Sequence, residues 1–356
     1  MHAHGLTLEE LGLTPELRAQ FEPHAAAGLA AARVGAVDRG EYTLLTGKGE
    51  LRAVLGGRLR HSATQSAELP VSGDWVAALP LADEGRAVIH AVLPRRTVIE
   101  RKTPGTETRA QVLAANVDLV LIVLPLDREP NLRALERYLA IGWESGAEPA
   151  IVLTKSDLCA GVAGAVAVVE AVAFGVPTLA VSSVTGEGLD DLRPHLRPGR
   201  TAVLLGPSGA GKSSLVNRLA GKELQAVADL GAVGKGRHTT SRCELVALPD
   251  GCLLLDTPGL RELGLWDSEA GVRAVFADIE SLAAACRFRD CAHRSEPGCA
   301  VTGAVASGTL ELERLTAYRK LERELAMLAR RQDKRAAAEE RRRYRAMNRA
   351  RRRARW

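Results

Sequence analysis

The stretch that most constrains what this chain can fold into is Gly206-Pro207-Ser208-Gly209-Ala210-Gly211-Lys212-Ser213, which follows the apolar run Thr201–Leu205 and precedes Ser214-Leu-Val-Asn-Arg-Leu219. Glycines between a strand and a helix let consecutive N–H groups converge on one anion, and the helix adds its positive end. The G-x-x-x-x-G-K-S spacing in this context is a phosphate-binding loop. Lys212 belongs between the β- and γ-phosphates and Ser213 on a Mg²⁺ ion.

The segments upstream fit a sheet that can carry such a loop. Asp118–Leu124 and Ala150–Leu153 read as buried strands, Asn131–Ser145 and Ala163–Phe174 as helices, and Thr178–Val181 as a further strand. This alternation predicts βαβ units on a parallel sheet, with ligands beyond the carboxyl ends of the strands. Thr154-Lys155-Ser156-Asp157 follows the second strand and approaches N-K-x-D: Asp157 can accept from guanine N1–H and N2, donors that adenine lacks, and Lys155 lies along the ring. Thr154 stands where Asn is usual, which weakens one contact tying the loops. After the third strand, Ser182-Ser183-Val184-Thr185-Gly186 resembles S-A-K, whose backbone N–H reaches guanine O6.

Downstream, Gly234–Ser241 is a hydroxyl-bearing loop in which Thr239 or Thr240 can complete a Mg²⁺ shell. Cys252–Leu255 then runs into Asp256-Thr257-Pro258-Gly259, a D-x-x-G element with Asp256 toward Mg²⁺ and the Gly259 N–H toward the γ-phosphate. Ras-like GTPases run phosphate loop, switch I, D-x-x-G, N-K-x-D, S-A-K. Here the base-reading motifs come first, so the order is circularly permuted, and a γ-phosphate-dependent shift can pass directly to the segment downstream.

Flanking segments have other signatures. Residues 1 to about 30 read as one or two short helices starting at Thr7 or Thr14-Pro15. Five short β-like runs follow, Arg33–Val37, Tyr42–Leu45, Leu51–Leu55, Asp74–Leu79 and Arg86–Leu93. They suit a small barrel of the OB type, although periodicity also fits an SH3-like barrel. Arg95, Arg96, Arg101 and Lys102 come next, either as phosphate contacts or as a solvated basic loop.

Near the C-terminus, Cys286, Cys291, His293 and Cys299 give C-x₄-C-x-H-x₅-C, a closed tetrahedral set for a structural Zn²⁺ with no open position for catalysis. Cys159, Cys243 and Cys252 lie beside apolar residues and read as core thiols. A leucine-bearing helix from Thr309 to about Arg345 grades into a basic tail: 13 Lys/Arg against three acids from Arg330 to Trp356, a local balance of +10 in a chain of net +5. A polyanion contact or a solvated extension both fit it. No basic n-region or apolar h-region opens the chain, so thiols or a metal site and a cytoplasmic location are expected, with no membrane partner.

Barrel, permuted order, Gly236-Arg-His-Thr-Thr240 and the C-x₄-C-x-H-x₅-C cluster together resemble the RsgA (YjeQ) family, over roughly residues 33–335. The resemblance implies a multidomain protein: an OB-fold β-barrel (33–102), a central α/β circularly permuted P-loop GTPase domain (103–280) and a C-terminal helical zinc-binding domain (281–335); the N-terminal helical extension (1–32) and the basic tail (336–356) are this sequence's departures from the family. It implies a GTPase that binds the 30S ribosomal subunit and 16S rRNA late in maturation and leaves on hydrolysis to GDP. One structural Zn²⁺, Mg²⁺ with GTP and a monomer are the further expectations. Leu260 occupies the place of the water-orienting Gln, so intrinsic turnover should be slow, and the resemblance suggests His238 as the water-positioning residue. Two alternatives remain at this level: an rRNA-binding factor in which GTP binding rather than turnover is the function, and a permuted GTPase of another RNA particle. Asp157 disfavours an ATPase.

Overall fold

The computed structural model describes residues 5–38, 40–62, 66–81, 85–102, 110–221, 244–256, 275–289, 291–294, 296–312, 314–320 and 322–323. Two compact units divide the chain, one holding residues 1–101 and 111–264, the other 102–110 and 265–356.

In the first unit, β1 (Ala30–Asp38), β2 (Glu41–Thr46), β3 (Gly49–Leu55), β4 (Trp75–Leu81) and β5 (Arg86–Val92) take up the five predicted strands. They pair in the order β1-β2-β3-β5-β4, and β1 pairs with β4 to close the ring. All contacts are antiparallel except β3 with β5, where Arg52–Leu55 run parallel to Arg86–Ile89. Side chains two residues apart point inward: Ala32 and Val34, Tyr42 and Leu44, Val76 and Ala78, Ala87 and Ile89 fill the lumen with Ala53. The sequence left OB-type and SH3-like barrels open; this closed β1-β2-β3-β5-β4 ring is the OB arrangement.

Halfway along β1 the register shifts between Val34 and Ala36. The residue between them, Gly35, has so little room that a Cβ would stand 3.0 Å from Leu45 Cγ. Before this bulge Ala30–Arg33 pair with β4; after it Ala36 pairs with Glu244 of β12 (Glu244–Ala247). A bulge that bends one strand thus lets it serve two neighbours in turn.

Through β12 the barrel joins a second sheet, β10-β9-β8-β11-β13-β12, built from β8 (Leu119–Pro125), β9 (Glu148–Thr154), β10 (Thr178–Ala180), β11 (Thr201–Leu205) and β13 (Leu253–Asp256). Pairings from β10 to β13 are parallel, and β12 alone runs antiparallel. Every residue of β8 is buried, as a central strand covered on both faces must be. Helices α3 (Leu132–Glu144), α4 (Val162–Val172), α5 (Leu189–Leu192) and α6 (Lys212–Ala220) connect the strands; α3 begins at Asn131, whose side chain caps Ala134 N.

The N-terminal segment forms one helix, not two. Thr14 caps α1 (Pro15–Ala26), which packs on β1 and β4, and the short α2 (Gly57–Ser62) follows β3. Thr7 and Glu10 exchange the reciprocal bonds of a capping box (2.7 and 3.2 Å), yet Gly12 at φ +89° ends that turn at once.

Arg33 anchors this junction. Its guanidinium, 1% exposed, donates to Gly73 O (3.3 Å), Asn116 O (3.1 Å), Thr201 Oγ1 (2.7 Å) and Leu11 O. Burial pulls it down to about 10, offset in part by Asp118, so it stays charged at neutral pH. Arg95, considered above as a phosphate contact, is instead structural: it grips both oxygens of buried Asp74 at 2.8 Å and the carbonyls of Ala67 and Leu69. Arg96 pairs with Asp118 at 2.9 Å. The side chains of Arg101 and Lys102 lie outside the described residues.

Candidate nucleotide and metal sites

β11 lies between β8 and β13 and delivers Gly206 to the carboxyl edge of the sheet. Gly206 has φ +148°, and a Cβ there would stand 2.2 Å from Val123 O, so only glycine lets the chain turn this close to β8. The loop continues through Pro207, exposed Ser208 and Gly209, and buried Ala210, then Gly211 at φ +82° opens α6. Leu215, Val216 and Leu219 bury one face of α6 and fix its direction. Lys212 Nζ donates to Gly206 O and Pro207 O, each at 2.7 Å, curling over its own loop. Ser213 and Ser214 occupy the first turn, half-buried.

The base-reading motifs converge on the same edge. Thr154 ends β9, and its buried hydroxyl donates to Ala210 O at 2.5 Å, with Leu124 O at 3.4 Å. The short hydroxyl therefore ties the two loops directly, a link that replacement of Asn by Thr was expected to weaken. Lys155 adopts a left-handed conformation (φ +61°), which turns the chain so that Asp157 is exposed. Ser156 N donates to Val181 O (3.2 Å), joining this loop to the end of β10; its hydroxyl is buried without a partner among the described residues. Beyond β10, Ser182 Oγ accepts from Val184 N (3.2 Å) and Thr185 N (3.1 Å), shaping the turn that holds Ser183.

Asp256 ends β13 opposite Glu244, but its side chain lies outside the described residues. So do His238, Thr239, Thr240, Gly259 and Leu260, along with Cys243 and the tail.

Two charged residues that the motif reading passed over stand at this edge. Leu126 N donates to Thr154 O (2.8 Å), after which Asp127 Oδ2 accepts from Lys155 Nζ at 2.5 Å and Asp127 Oδ1 lies 3.3 Å from Arg128 Nε. The hydrogen bond from Lys155 holds the Asp127 carboxyl below the usual carboxylate range. Their signal was positional: they directly follow a fully apolar strand, where ligand-facing residues of such sheets fall.

In the second unit, α7 (Ala277–Ala283) leads to Cys286, and Cys299 caps α8 (Ala300–Ala306) by accepting from Thr302 N at 3.4 Å. Donor atoms of Cys286, Cys291, His293 and Cys299 all lie within 4.8 Å of one another. Cys286 Sγ and Cys299 Sγ are 3.9 Å apart, and His293 Nδ1 is 3.6 and 3.5 Å from them. A zinc tetrahedron with Zn–S about 2.3 Å and Zn–N about 2.05 Å has S–S edges of about 3.8 Å and S–N edges of about 3.5 Å. The donor set thus fits a zinc ion. Burial opposes ionisation of Cys299, but hydrogen bonds from Thr302 and His293 outweigh it and pull the thiol down to about 6. Desolvation and the neighbouring sulfurs push Cys291 up to about 11. Nearby, Tyr318 packs edge-on against Phe276 (5.3 Å), and Arg314 grips Asp278 through both oxygens and lies over the same ring.

Comparison with known proteins places this architecture. The RsgA GTPase family model matches residues 92–266. A Syntrophotalea carbinolica protein named small ribosomal subunit biogenesis GTPase RsgA is 47% identical over 90% of both chains. The chain belongs to the RsgA GTPase family. An RsgA of the same name from Opitutus terrae is 46% identical over 95% of each chain. Among solved structures, YjeQ from Thermotoga maritima matches at TM-score 0.66 and 26% identity, covering 84% of this chain and 99% of that one. YloQ, titled a circularly permuted GTPase, matches at TM-score 0.61 and 25% identity, with 84% and 95% coverage. Barrel, permuted P-loop GTPase domain and C-terminal Cys₃His cluster are accordingly the family's fold in this chain. Among the described residues no helix is long and apolar enough to cross a membrane.

Proposed function

We propose that this chain is a GTP hydrolase acting in biogenesis of the small ribosomal subunit, the role its relatives' names carry. The observation that supports it best is the meeting of the loops after β11, β9 and β10 at one sheet edge, held by the Thr154–Ala210 bond. Backbone N–H groups of Gly206–Ser214 take the phosphates; Lys212 exchanges its two loop carbonyls for phosphate oxygens; Asp157 and Lys155, with Ser156, Ser182 and Ser183 around them, take guanine. The Ser213 hydroxyl, Thr239 or Thr240 and Asp256 would hold Mg²⁺, which would supply neutralisation of charge developing on the phosphates, and the Gly259 N–H senses the γ-phosphate. His238 positions the attacking water. A single Zn²⁺ on Cys286, Cys291, His293 and Cys299 fixes the C-terminal module, and the division at residues 32, 102, 280 and 335 separates extension, barrel, GTPase, zinc module and tail.

The partners under this reading are the 30S subunit and 16S rRNA, met by a cytoplasmic monomer. Leu260, which offers no polar group, favours a second reading in which the GTP-bound state itself is the working species and turnover only resets it. Purified small subunits should raise GTP hydrolysis strongly, and His238→Ala should remove most of the rise. Equal rates with and without subunits would refute subunit-stimulated hydrolysis. Maturation sustained by His238→Ala would favour the binding reading.

A further inference from the structure

We propose that Asp127 is a positioning residue for the nucleotide: one carboxylate oxygen holds Lys155 at the base loop, the other holds Arg128 over the phosphate loop, and Arg128 is a further phosphate-binding cation. The inference rests on the site reading above and extends it to the loop after β8.

Three observations converge. First, Asp127 bridges two cations, Lys155 Nζ at 2.5 Å and Arg128 Nε at 3.3 Å, with Lys155 and Asp127 side chains only 20% and 27% exposed. Partial burial keeps such a pair from being fully screened by salt. Second, Arg128 Nη2 lies 3.9 Å from where a Cβ on Gly209 would stand, beside the exposed middle of the phosphate loop. Third, Leu126 N donates to Thr154 O and Thr154 donates to Ala210 O, so this loop, the base loop and the phosphate loop are joined by short bonds. Asp127 offsets one of the two positive charges, leaving a net cation next to Gly209. The Arg128 side chain, 62% exposed, is ion-paired with Asp127 at Nε, and its Nη edge can make paired hydrogen bonds to phosphate oxygens, a geometry lysine cannot supply.

Calorimetric affinities for guanosine, GMP, GDP and GTP at two salt concentrations test this on the full-length protein. Arg128→Ala should weaken GDP and GTP binding about tenfold, the loss of a charge-assisted contact, flatten the salt dependence, and leave guanosine unchanged. Asp127→Asn should weaken guanosine as well as GDP, because Lys155 is released, and Asp127→Glu should restore part of the loss. Unchanged affinities in Arg128→Ala and Asp127→Asn would overturn the proposal, as would an Arg128→Ala loss equal for guanosine and GDP. Lys212→Ala and Asp157→Asn serve as references: if they too leave GDP binding intact, the site reading itself falls, whereas normal losses there confine the failure to Asp127 and Arg128. Unaltered melting temperatures separate all of this from misfolding.

Discussion

A threonine hydroxyl is shorter than an asparagine amide, so Thr154 can reach Ala210 O only because Gly211 brings the phosphate loop close: a Cβ on Gly211 would stand 3.4 Å from Thr154 Oγ1. Removing that hydroxyl strands a carbonyl at a site where Thr154 is 1% exposed. Thr154→Val should therefore cost about 1–3 kcal/mol of stability, with a loss of GDP affinity, and Thr154→Ser should retain both; unfolding and calorimetry decide. Cys252, fully buried immediately before β13, behaves differently: burial pushes its thiol up to about 12. Its neutral form is favoured by the folded state, so the stability it contributes is complete below the ordinary thiol range and is lost as pH rises from about 9 towards 12. Cys252→Ala should lower stability at neutral pH yet flatten this alkaline decline, measured by melting temperature from pH 8 to 11. Glycines, Lys212 and Asp157 were legible in sequence because their spacing is itself the chemistry. Asp127 was not, since its role arises from a partner 28 residues away.

Among the elements, β1 carries the heaviest structural burden. Its first half closes the barrel, its bulge re-aims it, and Arg33 beside that bulge donates to the N-terminal segment, the β4 approach, the linker at Asn116 and the first residue of β11. Arg33→Met should destabilise the protein by about 3 kcal/mol or more, since several buried acceptors lose their donor together. Arg33→Lys should rescue little, because one ammonium cannot span that fork; denaturant unfolding measures both. Strand and helix alternation made the barrel strands and the parallel strands readable to within about three residues at their ends, while the antiparallel β12 went unread. Arg33 was opaque for a physical reason: an arginine on the outer face of an alternating strand normally points to water, and here segments distant in sequence cover that face and accept its hydrogen bonds. Thr7 misled for the opposite reason, a local capping signature overruled two residues later by Gly12.

For the whole molecule, the Cys₃His cluster predicts one zinc per chain by metal analysis. Chelation or Cys286→Ser should unfold the C-terminal unit, read by protease sensitivity beyond residue 275, while GDP affinity at the nucleotide site stays near its starting value. Sequence spacing exposed this cluster because four soft donors within 14 residues have few other uses. It did not expose how barrel and nucleotide sheet share a strand partner, since a single Ala36–Glu244 pairing leaves no pattern in side chains. That rung is main chain alone. Exchange of the Ala36 or Glu244 side chain, proline aside, leaves the splice standing while Gly35 keeps the bulge that aims it, so a tug on the nucleotide sheet has a path into the barrel that those two side chains do not control.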